Sequence, residues 1–216
     1  MARNLITILS RRARCALRGW KRNERGVAAV EFALIVPVMG LMFIGAVELS
    51  QAITVDRRVT QVSSSTADLV ARAEKQISQA EIADIMKVGG YIFEPYSQDP
   101  VKIVLRNVSS SPSDAKTTKQ SWTCTYAGLG QTMACQCTNT SFALPDNLVT
   151  TNDSVVVSEV SYSYKPLIFD YFMSRAAGGT SSDGVYTLAD TIYLKPRGQA
   201  AMLLQPNGTP CPGPTF

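Results

Sequence analysis

The chain has 216 residues, 45% of them hydrophobic, and no histidine. The missing imidazole excludes Ser-His-Asp and Cys-His nucleophile systems and every histidine-ligated zinc or iron site. The net charge of +4 is unevenly held, because the first 26 residues carry eight of the 21 Lys and Arg against one of the 17 Asp and Glu, leaving the remainder three negative.

That asymmetry gives no nucleic-acid signal; it speaks to topology. Arg3, Arg11, Arg12, Arg14, Arg18, Lys21, Arg22 and Arg25 precede a run over residues 27–47 that contains no Lys, Arg, Asp, Asn or Gln. At about 1.5 Å per residue, 21 helical residues cross the roughly 30 Å hydrocarbon core of a bilayer. The positive-inside rule then places the basic leader in the cytoplasm and the long C-terminal part in the periplasm. A cleaved secretory signal has a shorter apolar region, and a mitochondrial transit peptide leaves Gly26 and Glu31 without a purpose. Pro37 removes one backbone hydrogen bond in mid-span, where a bend is expected.

Glu31 is the one charge in this run. A carboxylate at the centre of a membrane helix costs on the order of 2.5–3.5 kcal/mol, so an acid here calls for a dedicated partner. Cutting the bond between Gly26 and Val27 would create one: a free α-amino group four residues before Glu31. Positions four apart share a helix face, so the amine can neutralise the acid within one chain or across to a neighbouring subunit, setting register.

The wording ERGVAAVEFALIVPVMGLMFIGAVELSQ resembles the type IV prepilin class, and most closely the TadE-like minor pseudopilins of the tight-adherence (Flp) pilus system. The resemblance covers about residues 22–60. It implies that Gly26 ends the leader, Val27 begins the mature chain, and Glu31, with Phe32 beside it, directs assembly. Major Flp pilins usually carry Glu-Tyr where this chain has Glu-Phe, and they are far shorter; both departures favour a minor subunit. The resemblance further implies, as partners, a prepilin peptidase, other pilins or pseudopilins, and the assembly platform in the bacterial inner membrane, besides the lipid bilayer itself. No cofactor and no nucleic acid is implied, and the role is structural, not enzymatic. The alternative is an uncleaved single-pass protein whose periplasmic head binds a ligand or envelope partner.

Beyond Glu48 the apolar pattern becomes one-sided. Leu49, Ala52, Val55, Val59, Val62, Thr66, Leu69, Ala73 and Ile77 recur at a mean step of about 3.5, which predicts an amphipathic stem packed on its own domain or on other stems. Ser63-Ser64-Ser65-Thr66 is poor helix language and a candidate interruption. Ser78-Gln79-Ala80-Glu81 fits a capping box opening a short helix to about Val88, with Gly89-Gly90 as its stop.

From there the period changes to two. Residues 101–108, 122–126, 155–168 and 186–194 alternate polar with β-branched or aromatic side chains and predict an antiparallel sheet with one wet face. Residues 109–121, 175–184 and the Pro-rich end from Pro206 are expected as loops or tail. Cys15 lies in the leader, whereas Cys124, Cys135, Cys137 and Cys211 fall on the oxidising side, where an even count predicts two disulfides. A bridge between Cys135 and Cys137 is strained, which leaves Cys124 with either of them and Cys211 with the other. The spacings of a four-thiolate metal site are lacking. Asp170, Asp183 and Asp190 show neither calcium-loop spacing nor acid/base clustering, and are expected as solvated loop acids. Gly178-Gly179 lacks the strand-then-helix context of a phosphate loop. The Asn-x-Ser/Thr triplets at Asn107, Asn139, Asn152 and Asn207 are expected as loop composition in a bacterial protein.

The expected architecture is α+β: a leader over 1–26 that is removed, a transmembrane helix over 27–47, a helical stem over 48–88, and a β-rich, antiparallel periplasmic domain over 89–216.

Overall fold

The computed structural model describes residues 26–73, 76–128, 132–166, 185–197, 202–206 and 210–216. The leader before Gly26, Cys15, Asp170, Asp183, Gly178-Gly179, Asn207 and the end of the strand expected to reach Ile168 lie outside these residues. The chain divides into two compact units, Met1–Val47 and Glu48–Phe216. It is α+β, with a long N-terminal helix followed by a mostly antiparallel β domain.

The described part of the first unit is helical. Helix α1, Val27–Ala71, begins at the residue after Gly26 and continues through Pro37. Val30, Phe32, Leu34, Ile35, Met39, Met42 and Phe43 are all exposed, and the apolar stretch is long enough to cross a membrane, with none of its most apolar window buried. An apolar surface open on every side is stable only in an apolar solvent or against other apolar helices.

The second unit is built on a five-stranded antiparallel sheet: β2 (Val101–Ser110), β3 (Thr118–Tyr126), β4 (Ala134–Ser141), β5 (Ser154–Tyr164) and β6 (Tyr186–Leu194), in the order β4-β3-β2-β5-β6. Two short strands, β1 (Gln76–Ser78) and β7 (Leu203–Gln205), form a separate parallel pair. Val55, Val59, Val62, Val70, Ile103, Leu105, Trp122 and Val160 share one core in which each is essentially inaccessible. The stripe beyond Glu48 therefore packs on its own sheet, which leaves no buried stripe for neighbouring stems. It keeps Val55, Val59, Val62 and Thr66, but Leu49 and Leu69 are exposed, and Ile77 belongs to β1 instead of a helix.

The serine run does not interrupt α1. Thr66 Oγ1 donates back to the Val62 carbonyl at 2.7 Å and lies 2.9 Å from Ser158 Oγ, while Ser63 Oγ donates to the Ser158 carbonyl at 3.1 Å. Hydroxyls that compete with helix hydrogen bonds in isolation are here committed to the sheet, and their small size lets helix and strand approach. Nor do the paired glycines end the next helix. Helix α2, Gln79–Tyr91, opens with the expected box: Glu81 N donates to Ser78 Oγ at 3.2 Å, and Ser78 N donates to Glu81 Oε2 at 2.8 Å. It then runs through Gly89, where an added Cβ would sit 3.1 Å from Thr66 Cγ2 and Val62 Cγ1 and 3.2 Å from Ile103 Cδ1. Lack of a side chain serves a three-way approach here, not a stop.

The sheet also differs from a simple one-wet-face pattern. A second, smaller core of Val108, Val149, Val155 and Val157, with Phe142, Leu144, Leu148 and Tyr193 against it, covers part of the other face. Strand β4 was not foreseen, because its sequence ACQCTNTS has little β-branched or aromatic content; pairing with β3 and two bridges compensate. Cys124 bonds Cys135 directly across β3 and β4, and Cys137 bonds Cys211. The tail is thereby tied down: Cys211 N donates to Leu204 O at 2.7 Å, Asn139 Nδ2 to Thr215 Oγ1 at 2.6 Å, and Lys119 Nζ to Thr215 O at 2.5 Å. Trp122 places its indole N–H on Met202 O at 2.8 Å, so its large buried ring strands no donor.

Four acids are held ionised, one of them Asp114, which is lowered by the Lys116 backbone N–H and the Thr117 hydroxyl. A hydrogen bond from Arg72 lowers the Asp68 carboxyl, helped by Arg197 and opposed by burial. The Ser78 backbone N–H lowers Glu81. Burial works against the Asp153 carboxylate but is outweighed by Lys195 Nζ at 2.5 Å and by the N–H groups of Thr150 and Ser154, so this group also lies below its usual range.

Three measurements on the Glu48–Phe216 unit within the full chain test this packing. Gly89→Leu should cost on the order of 1–3 kcal/mol by overpacking, seen as a lower unfolding midpoint, whereas Gly40→Leu, in open space, should leave that midpoint unmoved. The loops closed by the bridges span 11 and 74 positions, so chain entropy makes Cys137–Cys211 the more stabilising by about 1.5–2 kcal/mol; unfolding of the two paired Cys→Ser double variants reads the difference. Carboxyls lowered on folding contribute above their unfolded pKa and lose that contribution as pH falls through the folded value. The midpoint should hold down to about pH 5 and drop below about pH 4, and Asp153→Asn should make that drop shallower.

Candidate functional site

The residues that sequence chemistry singles out at the N-terminal boundary stand at the first turns of α1. Gly26 is exposed, and a Cβ added to it would meet nothing within 4 Å, so packing in the described structure does not require glycine there. Val27, the first residue of α1, is 52% exposed, and Phe32 is 69% exposed. Glu31 is one helical turn from Val27, on the same face, and is exposed. Among the described residues no side chain forms an ion pair with it.

This arrangement has a definite electrostatic consequence. The start of a helix carries roughly half a positive charge, so a free ammonium at Val27 would be unfavourable there by itself. A carboxylate one turn along offsets both the ammonium and the dipole. The offset grows as water is withdrawn, because two unit charges interact far more strongly in hydrocarbon than in water.

Beyond this boundary the described residues offer little chemistry. They contain no group of three or more His, Cys, Asp or Glu able to hold a metal ion. Asp190 is not a loop acid but sits in β6, where Oδ1 accepts from Thr191 N at 3.0 Å and Oδ2 is buried without a partner. Asn107 is likewise no loop residue: it is fully buried in β2, donating to Ser121 Oγ at 3.0 Å, and is inaccessible to modification. Asn139 lies in β4, and Asn152 occupies a left-handed turn position.

One polar group was not foreseen. Arg58 Nη1 donates to the carbonyls of Ile92, at 2.5 Å, and Glu94, and its guanidinium lies 5.4 Å from the Tyr96 ring centroid. Sequence marks Arg58 only as a charge off the apolar stripe; which carbonyls it would reach depends on how α2 returns to α1. Near the start of this unit Glu48 is itself buried, and its charge adds to burial in raising the Tyr164 phenol. The acid that looks like the end of the apolar run in sequence thus belongs to the interior of the head.

Neither a curated protein nor a solved structure matches the chain. One family model, described as TadE-like protein, matches residues 26–68. That stretch opens at Gly26, includes Glu31, and closes within the part of α1 that packs on the sheet. Over that stretch the chain is similar to the TadE-like family, which belongs to Tad pilus systems.

Proposed function

We propose that the protein is a minor pseudopilin that takes part in assembling a tight-adherence pilus used for surface adhesion, with a structural and not an enzymatic role. A prepilin peptidase would cut between Gly26 and Val27, leaving the head in the periplasm and α1 anchored in the inner membrane. The released Val27 amine would pair with Glu31, and the exposed apolar surface around Phe32 would supply the association with other pilins or pseudopilins and with the assembly platform.

The observation that carries this proposal is the convergence of three boundaries within residues 25–27. The charge surplus stops at Arg25, α1 starts at Val27, and the family match starts at residue 26. Support also comes from Glu31, whose cost in lipid is unexplained without an amine. A plain membrane anchor needs neither the glycine at the boundary nor an acid one turn beyond it.

Two variants in cells that carry the assembly system test the proposal. Glu31→Val should insert, be shortened normally and fail to enter the assembly, whereas Gly26→Leu should stay at full length; immunoblots of membrane and sheared-pilus fractions read both. Normal incorporation of Glu31→Val would remove the reason for the carboxylate. Normal function of a full-length Gly26→Leu protein would favour an uncleaved single-pass protein that works through its head.

A further inference from the structure

Part of the head's core is closed by chain that has little hold of its own. Met202, Leu204 and Cys211 are buried in the main core together with Trp122 and Ile77. Yet β7, which carries Leu204, is three residues long, and among the described residues it pairs only with the equally short β1, outside the five-stranded sheet. A two-stranded pairing is marginal in water by itself, and a parallel one is slightly weaker per residue. The Trp122 indole N–H on Met202 O, at 2.8 Å, and Cys211 N on Leu204 O, at 2.7 Å, are the buried hydrogen bonds that help. Beyond Cys211 the hold is looser. Residues 210–216 include Pro210, Pro212, Gly213 and Pro214 and form neither strand nor helix, and their bonds from Asn139 and Lys119 to Thr215 lie at the exposed surface.

The two disulfides stand in different positions with respect to this segment. Cys124–Cys135 joins β3 to β4, strands that already share a ladder, and Cys124 is fully buried with Cys135 half-buried against the core. Cys137–Cys211 instead joins β4 to chain 74 positions away and is the covalent tie of the segment to the sheet. Cys137 is exposed, on the strand that ends the sheet. A disulfide exchanges when a thiolate reaches one of its sulfurs, so access favours attack at Cys137. Losing the first bond leaves a ladder in place, whereas losing the second leaves only the contacts above.

We infer that residues 202–206 and 210–216 form a redox-latched strap. Reduction of Cys137–Cys211 undocks it and opens the core at Trp122 and β1, while Cys124–Cys135 and the five-stranded sheet stay intact. The reductant is a dithiol. One of its thiolates attacks Cys137 Sγ, giving a mixed disulfide, and Cys211 leaves as a thiolate that takes up a proton. The second thiol, losing its proton, then displaces Cys137, which is protonated in turn. The reductant departs as a disulfide, two electrons having passed to the cysteines, and oxidation by the reverse route closes the strap. The core is thus complete only where these thiols are oxidised. The latch lies within the Glu48–Phe216 unit and acts whether or not the leader is cut.

Graded reduction of the full chain in detergent micelles tests this, with Cys15→Ser and Trp20→Phe making every cysteine and the one remaining indole belong to the head. Dithiothreitol is added at neutral pH, and samples are trapped with iodoacetamide for peptide masses while Trp122 emission and backbone hydrogen exchange are followed. Alkylation of Cys137 and Cys211 should run roughly tenfold faster than that of Cys124 and Cys135. In step with it, Trp122 emission should move to the red and the β1 amides lose protection, while those of β2 and β5 keep theirs. The double variant Cys137→Ser/Cys211→Ser should show the same open signals without reductant. Opening of Cys124–Cys135 first, or of both bonds together, would overturn the latch. Reduction of Cys137–Cys211 that leaves Trp122 and β1 unchanged would also overturn it, as would loss of protection spreading at once to β2 and β5.

Discussion

One helical sequence has to satisfy two solvents, and the rest of the protein follows from where it changes from one to the other. Up to Val47 its surface is apolar on every side apart from Glu31, which suits lipid or a bundle of like helices. After Val55 it is apolar on one side only, and that side is the wall of a closed core. The change is made by side chains that point inward without being apolar. Glu48 is turned into the head, and Ser63 and Thr66 are hydrogen-bonded to Ser158. A buried hydroxyl left unpaired would cost on the order of 1–3 kcal/mol. The seam therefore fixes which strand lies under α1 as well as contributing to stability.

The two acids at either end of the apolar run show how differently the same group can be managed. Glu48 is covered by protein, and its charge helps raise the Tyr164 phenol. Glu31 is exposed, and among the described residues no cation pairs with it. A carboxylate that the head does not shelter, in a helix suited to lipid, needs a counter-charge from elsewhere, and the proposed source is the chain's own amine once the leader is gone. The disulfides serve the other end of the problem. They fasten β4 and a Pro-rich tail, both weak in intrinsic structure, onto an otherwise well-packed sheet.

Much of this was legible in the sequence because it rests on local pattern. The 21-residue apolar run, the Ser78 capping box and the period-two segments of β2, β3, β5 and β6 each declare themselves within a few residues. What was not legible depends on tertiary placement. The serine run looked like a break because its partner, Ser158, is 95 residues away. Gly89 looked like a stop because nothing local says that Val62, Thr66 and Ile103 converge on it. Strand β4 carries almost no β signal of its own. At the candidate site Gly26, Val27 and Glu31 were singled out by the charge boundary, the spacing and the family resemblance, and the structure adds that packing does not require Gly26.

The central claim is that a proteolytic cut supplies the charge Glu31 lacks. Intact mass of the protein extracted from its native membranes, with the peptidase present, tests it most directly. A chain of 190 residues beginning at Val27 is the predicted result, and a chain that still begins at Met1 would contradict it.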